Sequence, residues 1–227
     1  GQNDRVIMQM PNGVEFFETT FALWKIGATP VAVAGNSPDA DLRNYIDLIT
    51  PRAMIGAPPL GSGATQIPAD LAVDPLLSAE PLPECVPEFW RINMSGGSTG
   101  RPKAIVDRTP ARLDPLQPML CQKLDGVMLN PGPLYHSGPF GLSHRAVFAG
   151  NHVITMDRFD PAETLRLIEQ HGVDWLYIVP TMMHRIWRLG EDARNSFDLS
   201  SLATVFHMAS ACPAWLKENW IHWLGPE

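Results

Sequence analysis

Apolar residues along this chain alternate between two periods. Val6 to Met10 is a short apolar run, stopped by Pro11-Asn12-Gly13. Val14, Phe17, Phe21, Trp24 and Ile26 then recur at helical spacing, and Gly27 stands where it closes a helix. Thr29 to Ala34 reads as a strand and Asp39 to Ile49 as a helix, with Ser37 or Asp39 near its cap. Ala53-Met54-Ile55 is a third strand. Eight prolines between Pro51 and Pro87 predict a loop-rich stretch with short extended pieces. Phe89 to Met94 and Ala104 to Val106 read as strands around a glycine-rich turn.

The alternation then resumes. Gly126–Asn130, Asn151–Met156, Val173–Val179 and Leu202–Met208 read as strands. Gly138–Ala149, the stretch from Asp160 to His171-Gly172, Pro180–Leu189 and Pro213–Leu224 read as helices. Asp160-Pro161 supplies an N-cap acceptor followed by proline at the first helical position. This order predicts an α/β fold: two mostly parallel sheets with flanking helices. The expected division is a first α/β subdomain over residues 1–115 and a second over 116–227. Met182, Met183 and Trp187 fall at helical spacing, for core packing or for an apolar ligand lining. Trp215, Trp220 and Trp223 read as helix-to-sheet packing.

Composition narrows the classes. The chain has 227 residues, 45% hydrophobic and 18% charged, as for a globular protein. A net charge of −7 with scattered Lys and Arg argues against a nucleic-acid surface. No apolar run has the length of a membrane span, and Gly1-Gln2-Asn3-Asp4-Arg5 lacks the shape of a signal peptide. Three well-separated cysteines without a CxxC read as reduced cytoplasmic thiols. Seven histidines form no HExxH, so no structural metal is expected.

The densest chemistry lies in Ser95-Gly96-Gly97-Ser98-Thr99-Gly100-Arg101-Pro102-Lys103. Glycines let successive N–H groups converge on one anion, hydroxyls add donors, and Arg101 or Lys103 adds positive charge. A polyphosphate uses all three features. The spacing is not that of a Walker A loop, and no helix follows as a dinucleotide fingerprint requires.

At every defined position this run resembles the phosphate-binding loop of the adenylate-forming (AMP-binding) superfamily. That superfamily comprises acyl-CoA synthetases, luciferases and peptide-synthetase adenylation domains. Ala104 stands where the family often has glycine. Four further segments resemble the family in order: Gly27-Ala28-Thr29-Pro30-Val31, Pro133-Leu134-Tyr135-His136, Val179-Pro180-Thr181, and His207 to Pro213. In the last, Met208-Ala209-Ser210-Ala211-Cys212 replaces a Ser-Gly-Gly-Ala-Pro pattern, so both glycines are missing.

The resemblance implies an ATP-dependent acid–thiol ligase of the acyl-CoA synthetase branch. Ser95, Gly96, Gly97, Ser98, Thr99, Gly100 and Lys103 would hold the triphosphate, with Thr99, Lys103 and His136 as the catalytic candidates. His136, Thr181, Ala209, Ser210 and Ala211 would line the adenine and acyl pocket, and His207 is a weaker pocket candidate. ATP, Mg2+ and CoA are the implied cofactors, and the acid is an apolar fatty or bulky ring-bearing one. The family's Tyr-Gly-x-Thr-Glu segment, ribose-binding Asp, hinge and small-domain Lys would fall beyond Glu227. The chain therefore reads as part of a large N-terminal domain, inactive by itself and cytoplasmic, with a homodimer left open. Two rival readings stand: an adenylation module of a peptide or polyketide assembly line, and a non-catalytic fragment.

Overall fold

The computed structural model describes residues 1–95, 102–109, 111–117 and 120–225. The chain divides into two compact units, Gly1–Arg112 with Leu134–His136, and Leu113–Pro133 with Ser137–Glu227.

The first unit is built on β1 (Arg5–Met8), α1 (Val14–Lys25), β2 (Thr29–Ala32), α2 (Asp39–Ile49), β3 (Ala53–Ile55), β4 (Thr65–Ile67), β5 (Ile92–Ser95) and β6 (Lys103–Val106). The strands form one sheet in the order β4-β3-β1-β2-β5-β6. All neighbours pair in parallel except β5 and β6, which are antiparallel. Ile7, Val31, Met54 and Ile92 of the sheet pack with Leu42, Ile46 and Ile49 of α2, an i, i+4, i+7 stripe.

On α1 the buried stripe is Phe16, Thr20 and Leu23, one position away from the sequence reading. Thr20 enters the interior because its hydroxyl donates to the Phe16 carbonyl at 2.8 Å, which leaves its methyl for packing. Phe21 and Trp24 sit half-buried beside it, and the Trp24 indole N–H donates to the Trp90 carbonyl at 2.6 Å. Gly27 closes the helix at φ 70°, and its N–H donates to the Trp24 carbonyl at 2.9 Å. A Cβ there would lie 2.3 Å from Cys85 Sγ, so both its conformation and its neighbour require glycine. Helix α2 starts after Pro38 without a side-chain cap, so neither Ser37 nor Asp39 plays that role.

The second unit contains β7 (Val127–Asn130), α3 (Ser137–Phe148), β8 (His152–Thr155), α4 (Pro161–His171), β9 (Trp175–Ile178), α5 (Pro180–Trp187), α6 (Glu191–Asn195), β10 (Thr204–His207) and α7 (Ala214–Leu224). Its sheet is parallel throughout, in the order β10-β9-β7-β8. Alternate strand residues feed two cores. Leu129, Leu176 and Ile178 pack with Leu165 and Ile168 of α4, Met183 and Ile186 of α5, and Leu216 and Trp220 of α7. Met128, Trp175 and Tyr177 on the opposite face pack with Leu142 and Ala146 of α3. Both faces are therefore covered, which accounts for continuous apolar strands such as Trp175-Leu176-Tyr177-Ile178.

Two details differ from the sequence reading. Trp215 is 47% exposed and meets His184 edge-on, whereas Trp220 is in the core. Helix α6, only five residues long, has no readable period. It forms because Arg194 is buried, donates to the Trp187 carbonyl and lies 3.7 Å from the Trp187 ring centroid.

The start of α4 follows expectation. Asp160 is extended, its carboxylate accepts from the Glu163 N–H at 2.9 Å, and Pro161 follows it. Asp160→Ala should cost about 1 kcal/mol, read as a lower denaturant midpoint at unchanged slope; an unchanged midpoint would show that the cap is dispensable.

Candidate active site

The glycine-rich run is anchored at both ends. Ser95 is the last residue of β5 and Lys103 the first of β6, and the two are register partners. The Ser95 hydroxyl donates to the Lys103 carbonyl at 3.5 Å. Gly96, Gly97, Ser98, Thr99 and Gly100 lie outside the described residues. Because β5 runs parallel to β2, the turn leaves the carboxyl edge of the sheet, the edge at which open α/β sheets take ligands. The Gln9 amide fastens the same edge, donating to the Ala34 and Gly35 carbonyls at 3.2 Å each. The Lys103 side chain is exposed, so its ammonium is available to a ligand without prior rearrangement of the core.

His136 belongs to the first unit. Its ring lies 4.3 Å from that of Tyr135, and the Leu134 N–H donates to Asn12 Oδ1 at 2.9 Å, which ties this short segment to the turn after β1. Burial of part of the ring lowers the His136 pKa below the ordinary histidine value. A neutral imidazole offers one donor and one acceptor, the state needed to orient an acid or pass a proton.

Asn130 organises the loop that leads to His136, and sequence reasoning missed it. It is fully buried; its Oδ1 accepts from the Gly132 N–H at 3.0 Å and its Nδ2 donates to Ser143 Oγ at 3.0 Å. The available signal was an asparagine directly before Pro-Gly-Pro, the composition of an Asx turn.

Thr181 and Ala209, Ser210 and Ala211 fall in the second unit. Thr181 is exposed at the second position of α5, directly after β9. Ala209 to Ala211 are exposed in the turn after β10. Since β9 and β10 are parallel, all four residues emerge at one carboxyl edge. Ala209 takes φ 76°, the left-handed region that glycine enters freely. His207 ends β10, half-buried with Nδ1 unpartnered; burial first, and the Lys217 charge second, lower its pKa. Met183 is buried, and Met182 and Trp187 pack half-buried against the same core, so this trio serves the core.

Among the described residues no group of three His, Cys, Asp or Glu side chains could hold a metal ion. No helix among them is long and apolar enough to cross a membrane.

Ser95 and Lys103 thus pair at the carboxyl edge of one largely parallel sheet, and Thr181 with Ala209 to Ala211 lies at the carboxyl edge of the other. A family model described as AMP-binding enzyme matches residues 1–227. The chain belongs to the AMP-binding enzyme family. It is 28% identical to the pyochelin synthase PchD of Pseudomonas aeruginosa over 88% of its own length and 41% of that protein. It is also 28% identical to the medium/long-chain-fatty-acid–CoA ligase FadD8 of Mycobacterium tuberculosis, over 80% of its length and 28% of the relative. The chain thus spans less than half the length of these relatives. In fold it is similar to the N-terminal domain of FACL13 from Mycobacterium tuberculosis, with a TM-score of 0.80, 19% identity, and coverage of 98% of this chain and 61% of the other.

Ala209→Gly should relieve the left-handed strain, offset in part by the freer unfolded chain, for a net gain of up to about 1 kcal/mol. A fall in melting temperature would mean that the Ala209 methyl makes contacts worth more than the strain. The depressed pKa of His207 also sets the sign of a pH effect. The unfolded state binds the proton more readily, so this stability is present above the unfolded pKa and is lost as pH falls through the folded one. Denaturant midpoints at pH 7.5 and 5.5 should show a loss on acidification, smaller in His207→Gln; an equal loss in both proteins would remove His207 from the account.

Proposed function

We propose that the protein carrying this chain activates an apolar or ring-bearing carboxylic acid with ATP and passes the acyl group to the thiol of CoA. The observation that carries this reading is the turn between Ser95 and Lys103, held at the carboxyl edge of a parallel sheet in a chain of the AMP-binding family. One carboxylate oxygen of the acid attacks the α-phosphorus of ATP; the bond from that phosphorus to the bridging oxygen breaks, and pyrophosphate leaves. In the second half-reaction the thiolate sulfur adds to the acyl carbon and AMP departs.

Acid and triphosphate repel each other, so the site must supply positive charge and donors while holding the reactants in line. Backbone N–H groups of the run from Ser95 to Gly100 and the hydroxyls of Ser98 and Thr99 would bind the β- and γ-phosphates. The exposed Lys103 would add a point charge at the base of the turn. His136, whose partly covered ring has a lowered pKa, would orient the acid, and Thr181 with Ala209–Ala211 would line the adenine and acyl pocket through their backbone. The similarity to a CoA ligase of medium- and long-chain fatty acids supports this choice of acceptor and an apolar acid.

A second reading has support from the similarity to a pyochelin synthase: the same first half-reaction, with a carrier-bound thiol as acceptor. Incubating the acyl-adenylate with CoA and with a phosphopantetheinylated carrier protein separates the two. Rapid acyl-CoA formation supports the first reading, and transfer to the carrier alone supports the second.

The direct test is acid-dependent exchange of pyrophosphate into ATP by the whole protein. Lys103→Ala should lower kcat/KM by about tenfold to a hundredfold, somewhat less than the loss of a fixed oxyanion donor, with an unchanged melting temperature because the side chain is exposed. Wild-type exchange in this variant at saturating and at limiting ATP would remove Lys103 from the phosphate site. Absence of exchange in the parent protein with every acid tried would overturn the reading itself.

A further inference from the structure

Tyr177 stands out among the buried residues of the second unit. It is 3% exposed, in the carboxyl half of β9, and its ring packs into the core beneath α3. Its only neighbourly effect on titration is burial, which pushes the phenol up to about 12, and no described residue hydrogen-bonds its hydroxyl. The oxygen is not one of the fully enclosed polar atoms without a partner, so although the ring is buried the hydroxyl still reaches solvent.

The surroundings of the hydroxyl are specific. A Cβ on Gly138, in the first turn of α3, would stand 2.9 Å from the Tyr177 oxygen and 3.0 Å from Met208 Sδ. A Cβ on Gly132 would lie 3.4 Å from Tyr177 Cε1. Two backbone segments without side chains thus roof the phenol. Met208, just after β10, is 38% exposed. Tyr177 and Phe206 are register partners, and the Trp175 and Phe206 rings stack 5.5 Å apart at 19°. Strand alternation puts Phe206 and Met208 on the same side as Tyr177. At the carboxyl end of this face Tyr177, Phe206 and Met208 form an aromatic and thioether strip with one polar point, backed by the buried Trp175, at the edge where parallel sheets receive ligands. A flat strip suits a ring better than a flexible alkyl chain, and a protonated phenol supplies a donor throughout the physiological pH range.

We propose that the Tyr177 hydroxyl, left uncovered by side chains at Gly132 and Gly138, is a specificity-determining contact that selects a ring-bearing acid with an oxygen substituent. This rests on the acid-activating reading above and names its substrate class. The phenol donates to the substituent oxygen while Met208 and the aromatic strip contact the ring. An acid lacking that oxygen leaves the hydroxyl unsatisfied, which is how a polar site rejects a deoxy analogue.

The test is acid-dependent pyrophosphate exchange by the whole protein and its Tyr177→Phe variant, which keeps the ring and removes the oxygen. The probes are 3-hydroxybenzoate with benzoate, 4-hydroxycinnamate with cinnamate, and octanoate. The parent should favour the hydroxylated member of at least one pair by about tenfold or more in kcat/KM, with octanoate below it, and in the variant that ratio should fall to about one. An unchanged ratio in the variant, or a parent that prefers octanoate to every ring acid, overturns the assignment of Tyr177 while acid activation itself stands. No exchange with any of these acids, nor with longer alkyl acids, overturns the acid-activating reading and this inference with it.

Discussion

Parallel strand pairing is the constraint on which the rest of this structure depends. A parallel neighbour cannot be reached by a tight turn, so each strand must be followed by a crossover before the chain can pair again. That requirement places α1 between β1 and β2, α2 between β2 and β3, and α4 between β8 and β9. It also fixes direction: strands paired in parallel release their loops at one edge. The turn after β5, the start of α5 after β9 and the turn after β10 are such carboxyl-edge segments within their own sheets. The exception is informative. Strand β6 reverses on β5, and only an antiparallel partner can return directly to the residue where the turn began, as the pairing of Ser95 with Lys103 does.

Burial sets the chemical state of the polar groups near these edges. Partial burial keeps His136 and His207 neutral more readily than in water, and the Tyr177 phenol holds its proton for the same reason. Asn130 shows the complementary solution, in which a fully buried amide is satisfied at both ends and thereby shapes a loop. Where charge must be taken inside, aromatic rings accompany it: Arg194 lies under Trp187 and within 5.5 Å of the Trp223 centroid.

Much of the fold was legible because its signals are local. Apolar runs between Gly and Pro marked β1, β2, β3, β7, β9 and β10, and the Asp160-Pro161 pair marked the start of α4 to the residue. The buried face of α1 was not legible, because a threonine that satisfies its own hydroxyl looks polar in sequence and packs as an apolar residue. Helix α6 was invisible for want of a full period, and β4, inside the Pro-rich stretch, has only three residues. At the candidate site, motif residues at strand ends could be placed because strand order places them. Tyr177 could not be singled out, since one aromatic residue in an apolar strand reads as core until its hydroxyl is seen beside Gly138.

The central claim is that the carboxyl edge of the first sheet, at the turn between β5 and β6, receives the triphosphate of ATP. Backbone amide resonances of the isotopically labelled protein, followed during titration with ATP, test this most directly. The account predicts the largest shifts at residues 95–103, with smaller ones at Gln9 and at Ala34-Gly35, whose contacts fasten the same edge. Saturable shifts confined to the amino ends of the strands, with residues 95–103 unmoved, would contradict it.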